Sequence, residues 1–194
     1  NLTIFGGKLY FRADDGVNGR ELWSWNGTSA TMEADLNPAG IGSNPAELTI
    51  YGGKLYFRAD DGTNGTELWS WDGSVATLEA DINPGAGSST PSELTVYAGR
   101  LYFRAYTPAH GAELWSWDGT TATRETDINP GTGQSSPSQL IEYGGKLYFR
   151  AYDVTNGQEL WSFTGVPFPV EFIEWTARWT AEREATLEWS TASE

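Results

Sequence analysis

The chain repeats itself every 46 residues: Trp23, Trp69, Trp115 and Trp161 each close a Glu-Leu-Trp triplet, and Leu2, Leu48, Leu94 and Leu140 keep the same step. A fixed period of about 40–50 residues belongs to arrays such as propellers, in which no unit can bury its own surfaces and each needs a neighbour. Within the second unit, Leu48–Tyr51 and Lys54–Ala59 flank Gly52-Gly53, a pair suited to the positive φ angles of a tight hairpin turn. The loop Asp60–Gly65 leads to a third strand, Thr66–Trp71, and Asp72-Gly73 predicts a two-residue turn into a fourth, Ala76–Ile82. A Pro-, Gly- and Ser-rich segment, Asn83–Glu93, then carries the chain to the next unit without a helical pattern. The expected fold is all-β: a β-propeller-like array of four 46-residue, four-stranded blades over residues 1–165, plus a C-terminal β-hairpin over residues 166–194.

One charged pair recurs per unit: Arg12/Glu21, Arg58/Glu67, Arg104/Glu113 and Arg150/Glu159. If Arg58 and Glu67 are cross-strand partners, Phe57 lies opposite Leu68 and Tyr56 opposite Trp69. Both faces of each sheet are then aromatic or apolar, and such a sheet has to be covered on both sides. The paired charges would fix register, because a one-residue slip separates them.

The cover has to come from packing. There is no cysteine for a disulfide, whereas ten Trp, nine Tyr and eight Phe supply large apolar area. A formal charge of −14 argues against nucleic acid or an anionic membrane as partner. No stretch approaches the roughly 20 apolar residues of a membrane helix, so no membrane insertion is expected. The chain opens Asn1-Leu-Thr, without a Met or a signal segment, and reads as a processed product or an excerpt of something longer.

Catalytic inventory is thin. His110 is the sole histidine, its counterparts Asn18, Asn64 and Asn156 are asparagines, and no relay for Ser-His-Asp chemistry accompanies it. The adjacent acids Asp14, Asp15, Asp60 and Asp61 are the calcium candidates, because hard cations need several oxygens. They lack the spacing of an EF-hand, and the third unit replaces them with Tyr106 and Thr107, so the competing reading is a solvated Asx turn. No cofactor is expected otherwise. Asp35, Asp81 and Asp127 precede the Asn-Pro turns as caps, and Trp25, Trp71 and Trp117 are expected to pack between blades, although their faces would suit sugar rings if exposed.

The sequences ELWSWNGT, ELWSWDGS and ELWSWDGT, with flanking LYFRADDG and DINPG, resemble the ELWxxDGT-repeat family of bacterial secreted and surface proteins over Leu2 to Gly165. The resemblance implies a propeller-like, extracellular binding role rather than a reaction. The fourth unit departs from it, with Phe163-Thr164-Gly165 and no DINPG segment. Residues 166–194 instead resemble the opening two strands of the β-sandwich linker that precedes the sorting signal of Bacteroidetes type IX secretion cargo. A hairpin of that kind, carrying Phe172, Trp175, Trp179 and Trp189, leaves edges unpaired. It either completes the fourth blade in place of its missing last strand or adds to a sheet of a neighbouring subunit or domain, the latter being favoured because Pro167 and Pro169 interrupt the run from Gly165.

The expected function is therefore that of an extracellular, non-catalytic scaffold or assembly subunit at the bacterial cell surface. Its partner is a protein, or a second copy reached through the hairpin. A carbohydrate-binding, lectin-like propeller is the alternative.

Overall fold

The computed structural model describes residues 2–38 and 40–165 in full, together with the backbone of two strands over 171–179 and 185–192. It is all-β, and among the described residues no helix is long and apolar enough to cross a membrane. Four antiparallel sheets follow one another in chain order. The first holds β1 (Thr3–Phe5), β2 (Lys8–Asp14), β3 (Arg20–Trp25) and β4 (Ala30–Ala34). The second holds β5 (Ala46–Tyr51), β6 (Lys54–Asp60), β7 (Thr66–Trp71) and β8 (Ala76–Ala80). The third holds β9 (Ser92–Tyr97), β10 (Arg100–Thr107), β11 (Gly111–Trp117) and β12 (Ala122–Arg124). The fourth holds β13 (Ser138–Tyr143), β14 (Lys146–Asp153), β15 (Gly157–Phe163), β16 (Glu171–Trp179) and β17 (Ala185–Ala192).

Each sheet is a meander. Gly52 and Gly53 both adopt positive φ, 55° and 79°, as the tight β5–β6 turn requires. The β7–β8 turn is longer than expected, a four-residue Asp72–Val75 loop. Asp72 Oδ1 accepts from the amides of Ser74 and Val75, both at 2.8 Å, and so makes the turn an Asx motif rather than a two-residue hairpin.

The register between the second and third strands differs by one residue from the expected one. Arg58 stands opposite Leu68, Ala59 opposite Glu67 and Phe57 opposite Trp69. The cause lies in the loop: β6 and β7 stay paired out to Asp60 and Thr66, and Gly65, at φ +69°, closes the turn where a Cβ would lie 2.4 Å from the Gly87 carbonyl oxygen. A one-residue shift exchanges faces. Leu55, Phe57, Ala59, Glu67, Trp69 and Trp71 therefore share one face, while Tyr56, Arg58, Leu68 and Ser70 share the other. Arg58 and Glu67 are not partners, and neither are Arg12/Glu21, Arg104/Glu113 or Arg150/Glu159, which follow the same register.

Both faces are apolar, and between sheets they are covered. Tyr10 and Leu22 of the first sheet pack on Leu55, Phe57, Trp69 and Trp71 of the second. Tyr56 and Leu68 meet Leu101, Phe103 and Trp117, and Tyr102 and Leu114 meet Leu147, Phe149 and Phe163. A hydrogen bond crosses two of these junctions, from Trp71 Nε1 to Tyr10 Oη (3.2 Å) and from Trp117 Nε1 to Tyr56 Oη (3.1 Å). At the third junction Phe163 replaces Trp and keeps only an edge-on ring contact with Tyr102, with centroids 5.6 Å apart. The first strands of the sheets, β1, β5, β9 and β13, contact one another in chain order, with no comparable contact from β13 back to β1 among the described residues.

β16 is hydrogen-bonded to β15, with Trp161 opposite Phe172 and Ser162 opposite Glu171. It occupies the place that β8 and β12 hold in their sheets, where Trp69 faces Leu78 and Trp115 faces Arg124. Within the chain, then, the tail supplies the missing fourth strand and adds β17 as a fifth. The side chains of Phe172, Trp175, Trp179 and Trp189 lie outside the described residues.

If the Trp–Tyr bond links the sheets, a double-mutant cycle of Tyr56→Phe and Trp117→Phe in urea denaturation is expected to give a coupling of about 1 kcal/mol. The pair Tyr56→Phe and Trp69→Phe, which share no bond, is expected to give a coupling several-fold smaller.

Candidate functional site

The acids of the first three Glu-Leu-Trp triplets, Glu21, Glu67 and Glu113, are wholly buried, an expensive position for a carboxylate unless it is fully bonded. Glu67 accepts from Ile82 N (2.9 Å), Ser89 N (2.7 Å) and Ser89 Oγ (2.5 Å). Glu113 accepts from Ser135 N (3.0 Å), Ser135 Oγ (2.7 Å), Thr126 Oγ1 (2.9 Å) and Ile128 N (3.3 Å). Glu21 does the same with Ser43 N, Ser43 Oγ and Leu36 N. Each acid thus ties down the connection that leads from its own sheet to the next. Burial pushes the Glu67 and Glu113 carboxyls above their ordinary range, against the lowering effect of these donors. Arg58, on the opposite face, donates to the Pro91 carbonyl at 3.3 Å, and Arg104 to Ser92 Oγ at 3.1 Å.

The calcium candidates are occupied by their own loops. Asp61 Oδ1 accepts from the amides of Thr63 (2.9 Å) and Asn64 (2.7 Å), while Oδ2 accepts from Asn64 Nδ2 at 2.7 Å. Asp60 Oδ1 takes the Gly62 amide at 2.7 Å. Asp14 and Asp15 repeat the pattern with Gly16, Val17 and Asn18. The Asn18 and Val17 amides hold Asp15 below its ordinary value, and in Asp61 the Asn64 and Thr63 amides outweigh the opposing effect of burial. No cluster of three His, Cys, Asp or Glu side chains suited to a metal occurs among the described residues. In the third unit Thr107 and His110 replace the Asp–Asn pair, and Thr107 Oγ1 and His110 Nδ1 are buried without a hydrogen-bond partner.

The tryptophans divide. Trp69 is buried and Trp23, Trp115 and Trp161 are half-buried. All four lie on the same face of their sheets, which in the second, third and fourth looks to the preceding sheet, with Trp161 Nε1 bonded to the Ala151 carbonyl (3.2 Å). Trp71 and Trp117, each 3% exposed, are core residues and have no face free for a sugar. Trp25, in the first sheet, is 40% exposed.

Sequence reasoning missed one constellation. Glu47, Glu93 and Gln139 adopt positive φ (64°, 63° and 57°) at bulges in β5, β9 and β13. Glu47 Oε2 accepts the Glu93 amide at 3.0 Å, and Glu93 Oε2 the Gln139 amide at 2.8 Å, so the side chains form a relay along the adjoining first strands. The signal was available, since these residues sit at the repeat interval and each carries a side-chain carbonyl oxygen. An open cleft of about 820 Å³ lies on the outer face of the fourth sheet, lined by Gln139, Ile141, Tyr148, Arg150, Gln158 and Leu160 among others, with Glu159 the single carboxylate among the described residues.

No family model and no curated protein matches the chain. Among solved structures, the chain is similar over 100% of its length to 31% of a chain from a study of two prolyl endopeptidases and their inter-domain dynamics, at a TM-score of 0.59 and 12% identity. That structure is a β-propeller-containing protein, and likeness at this identity bears on the fold alone. A second match is an α-L-arabinofuranosidase (CtGH43) from Clostridium thermocellum, at a TM-score of 0.40 and 14% identity, covering 88% of this chain and 70% of that one. The chain spans about a third of the prolyl endopeptidase chain.

Two predictions follow the two acid types. Glu113→Gln, which faces donors with an amide, is expected to cost about 1–3 kcal/mol in urea denaturation. Because the folded Glu113 pKa is raised, its contribution is fully present below the ordinary value near 4.5 and is lost as pH rises through the folded value. The cost of the substitution is therefore expected to be greater near that ordinary value than at neutral pH. Asp61→Ala is expected to cost about 1 kcal/mol through the lost loop bonds. Calcium at about millimolar concentration is expected to leave the melting temperatures of wild type and variant unchanged, and a rise confined to the wild type would restore the metal reading.

Proposed function

We propose that this chain is a non-catalytic scaffold or assembly subunit of the bacterial cell surface, built as an arc of four propeller blades. The observation that carries the reading is that the repeated polar groups are consumed inside the repeat: Glu21, Glu67 and Glu113 by the connecting segments, and the Asp15 and Asp61 carboxylates by their own loops. Large apolar side chains are also exposed, among them Trp25 and Leu160 on the end sheets, and such surface suits protein association. β17 ends the fourth sheet with its outer edge unmatched by any other strand among the described residues, and supports strand addition by a protein partner. The extracellular setting and type IX secretion rest on the sequence resemblances. The hydrolytic activities named for the structural neighbours belong to those proteins; among the described residues the cleft in this chain carries one carboxylate, where glycoside hydrolysis uses two.

The lectin reading is kept by one residue. Trp25 presents part of its ring to solvent, as stacking on a sugar requires. A glycan array, run beside panels of chromogenic ester, peptide and glycoside substrates, separates these readings. The assembly reading expects no glycan retained and no substrate turned over, with discrete protein–protein adducts on chemical cross-linking. Glycan binding that disappears in Trp25→Ala, with the fold intact, would favour the lectin.

A further inference from the structure

The three junctions inside the chain are built alike. One side presents a Tyr and a Leu (Tyr10 and Leu22, Tyr56 and Leu68, Tyr102 and Leu114), and every one of these six is buried. The other side presents a Leu, a Phe, an Ala and two aromatic residues from the next sheet, such as Leu55, Phe57, Ala59, Trp69 and Trp71. The two end sheets carry the same residues with nothing over them among the described residues. On the first sheet, Leu9, Phe11 and Trp23 are only half-buried and Trp25 is 40% exposed, whereas their counterparts Leu55, Phe57, Trp69 and Trp71 are buried. On the fourth, Tyr148 is half-buried and Leu160 is 41% exposed, whereas Leu22, Leu68 and Leu114 are fully buried. The open cleft on this face is the groove that a following sheet fills at the other junctions.

One end of the molecule is thus the Tyr–Leu half of the repeated junction, and the other end is the half that receives it. We propose that the outer face of the fourth sheet docks on the outer face of the first sheet of a second copy of this chain. This rests on the assembly reading and names its partner. The contact is heterologous, and such contacts form rings when the rotation closes and filaments when it does not. Two copies of four sheets give eight, within the range of about 4–8 blades typical of propellers, so the expected product is a closed pair. At each new junction Trp25 stands where Trp71 and Trp117 stand, and its Nε1 donates to Tyr148 as theirs do to Tyr10 and Tyr56.

Sedimentation and light scattering over a range of concentrations test this. The expected species has twice the chain mass of 21.3 kDa. Leu160→Glu and Trp25→Glu each place a charge on an already exposed position, so both are expected to fold, as checked by circular dichroism and melting, and each alone to run at a single chain mass. Mixing them leaves one intact junction, between the first sheet of Leu160→Glu and the fourth of Trp25→Glu, and the two-chain species returns. A wild type of single mass at every concentration overturns the proposal and points to further repeats of a longer chain as the occupant. A two-chain species that survives both substitutions also overturns it and assigns association to another surface, such as the β17 edge. Open polymers overturn the closed pair. A two-chain species covers Trp25 and counts against the lectin, whereas failure of pairing leaves the glycan and turnover results as they stand, so failure here is distinct from failure of the non-catalytic reading.

Discussion

Each sheet of this protein is apolar on both faces, and the rest of the structure follows from that condition. An antiparallel sheet with one wet face can stand at a surface, but one carrying Leu55, Phe57 and Trp71 on one side and Tyr56 and Leu68 on the other has to lie between two neighbours. Packing in chain order meets the requirement for the middle of the molecule. At roughly 25 cal/mol per Å², the burial of rings this large lets stability come without a disulfide.

Apolar packing alone is tolerant of small displacements, and the polar groups remove that tolerance. The buried glutamates hold the connections between sheets, Trp–Tyr hydrogen bonds cross the junctions, and the Glu47–Glu93–Gln139 relay joins the first strands. Every one of these bonds links one repeat to the next or fixes the path between them. The fourth unit shows the system relaxing at its end: Phe163 gives up the indole donor, and Glu159, no longer followed by a Ser-bearing connection, is only half-buried. Where the neighbour stops, the partners of the repeated residues stop too.

The strands were legible, with bounds that shift by a residue or two, because hairpin chemistry is local. Gly52-Gly53 states its turn through the φ angles that glycine permits, and Thr66–Trp71 forms a strand with the bounds its sequence marks. The register was not legible, since it depends on how the Asp60–Gly65 loop packs against the following connection, a contact between segments more than twenty residues apart. That single residue of register parted Glu67 from its expected pairing with Arg58 and left it as a buried anchor of the connection, and it put Trp71 on the face of Leu55 and Phe57. The Asx reading of the Asp61 loop needed no such distant information, and its hydrogen bonds lie where the local spacing puts them.

The sequence by itself determined the repeat, the strands and the Gly-Gly turn within it, and the need for cover on both faces, because periodicity and turn chemistry act over a few residues. Only the tertiary structure decided which residues share a face, what each buried acid binds, and that the tail's first strand lies beside β15 as the last strand of its sheet. It also decided which copies of an identical motif are core and which are surface. Trp25 and Trp71 occupy the same place in the same motif, yet one is partly open to solvent and the other is sealed. The difference is whether another sheet stands in front of it, and burial depends on that neighbour rather than on the residue.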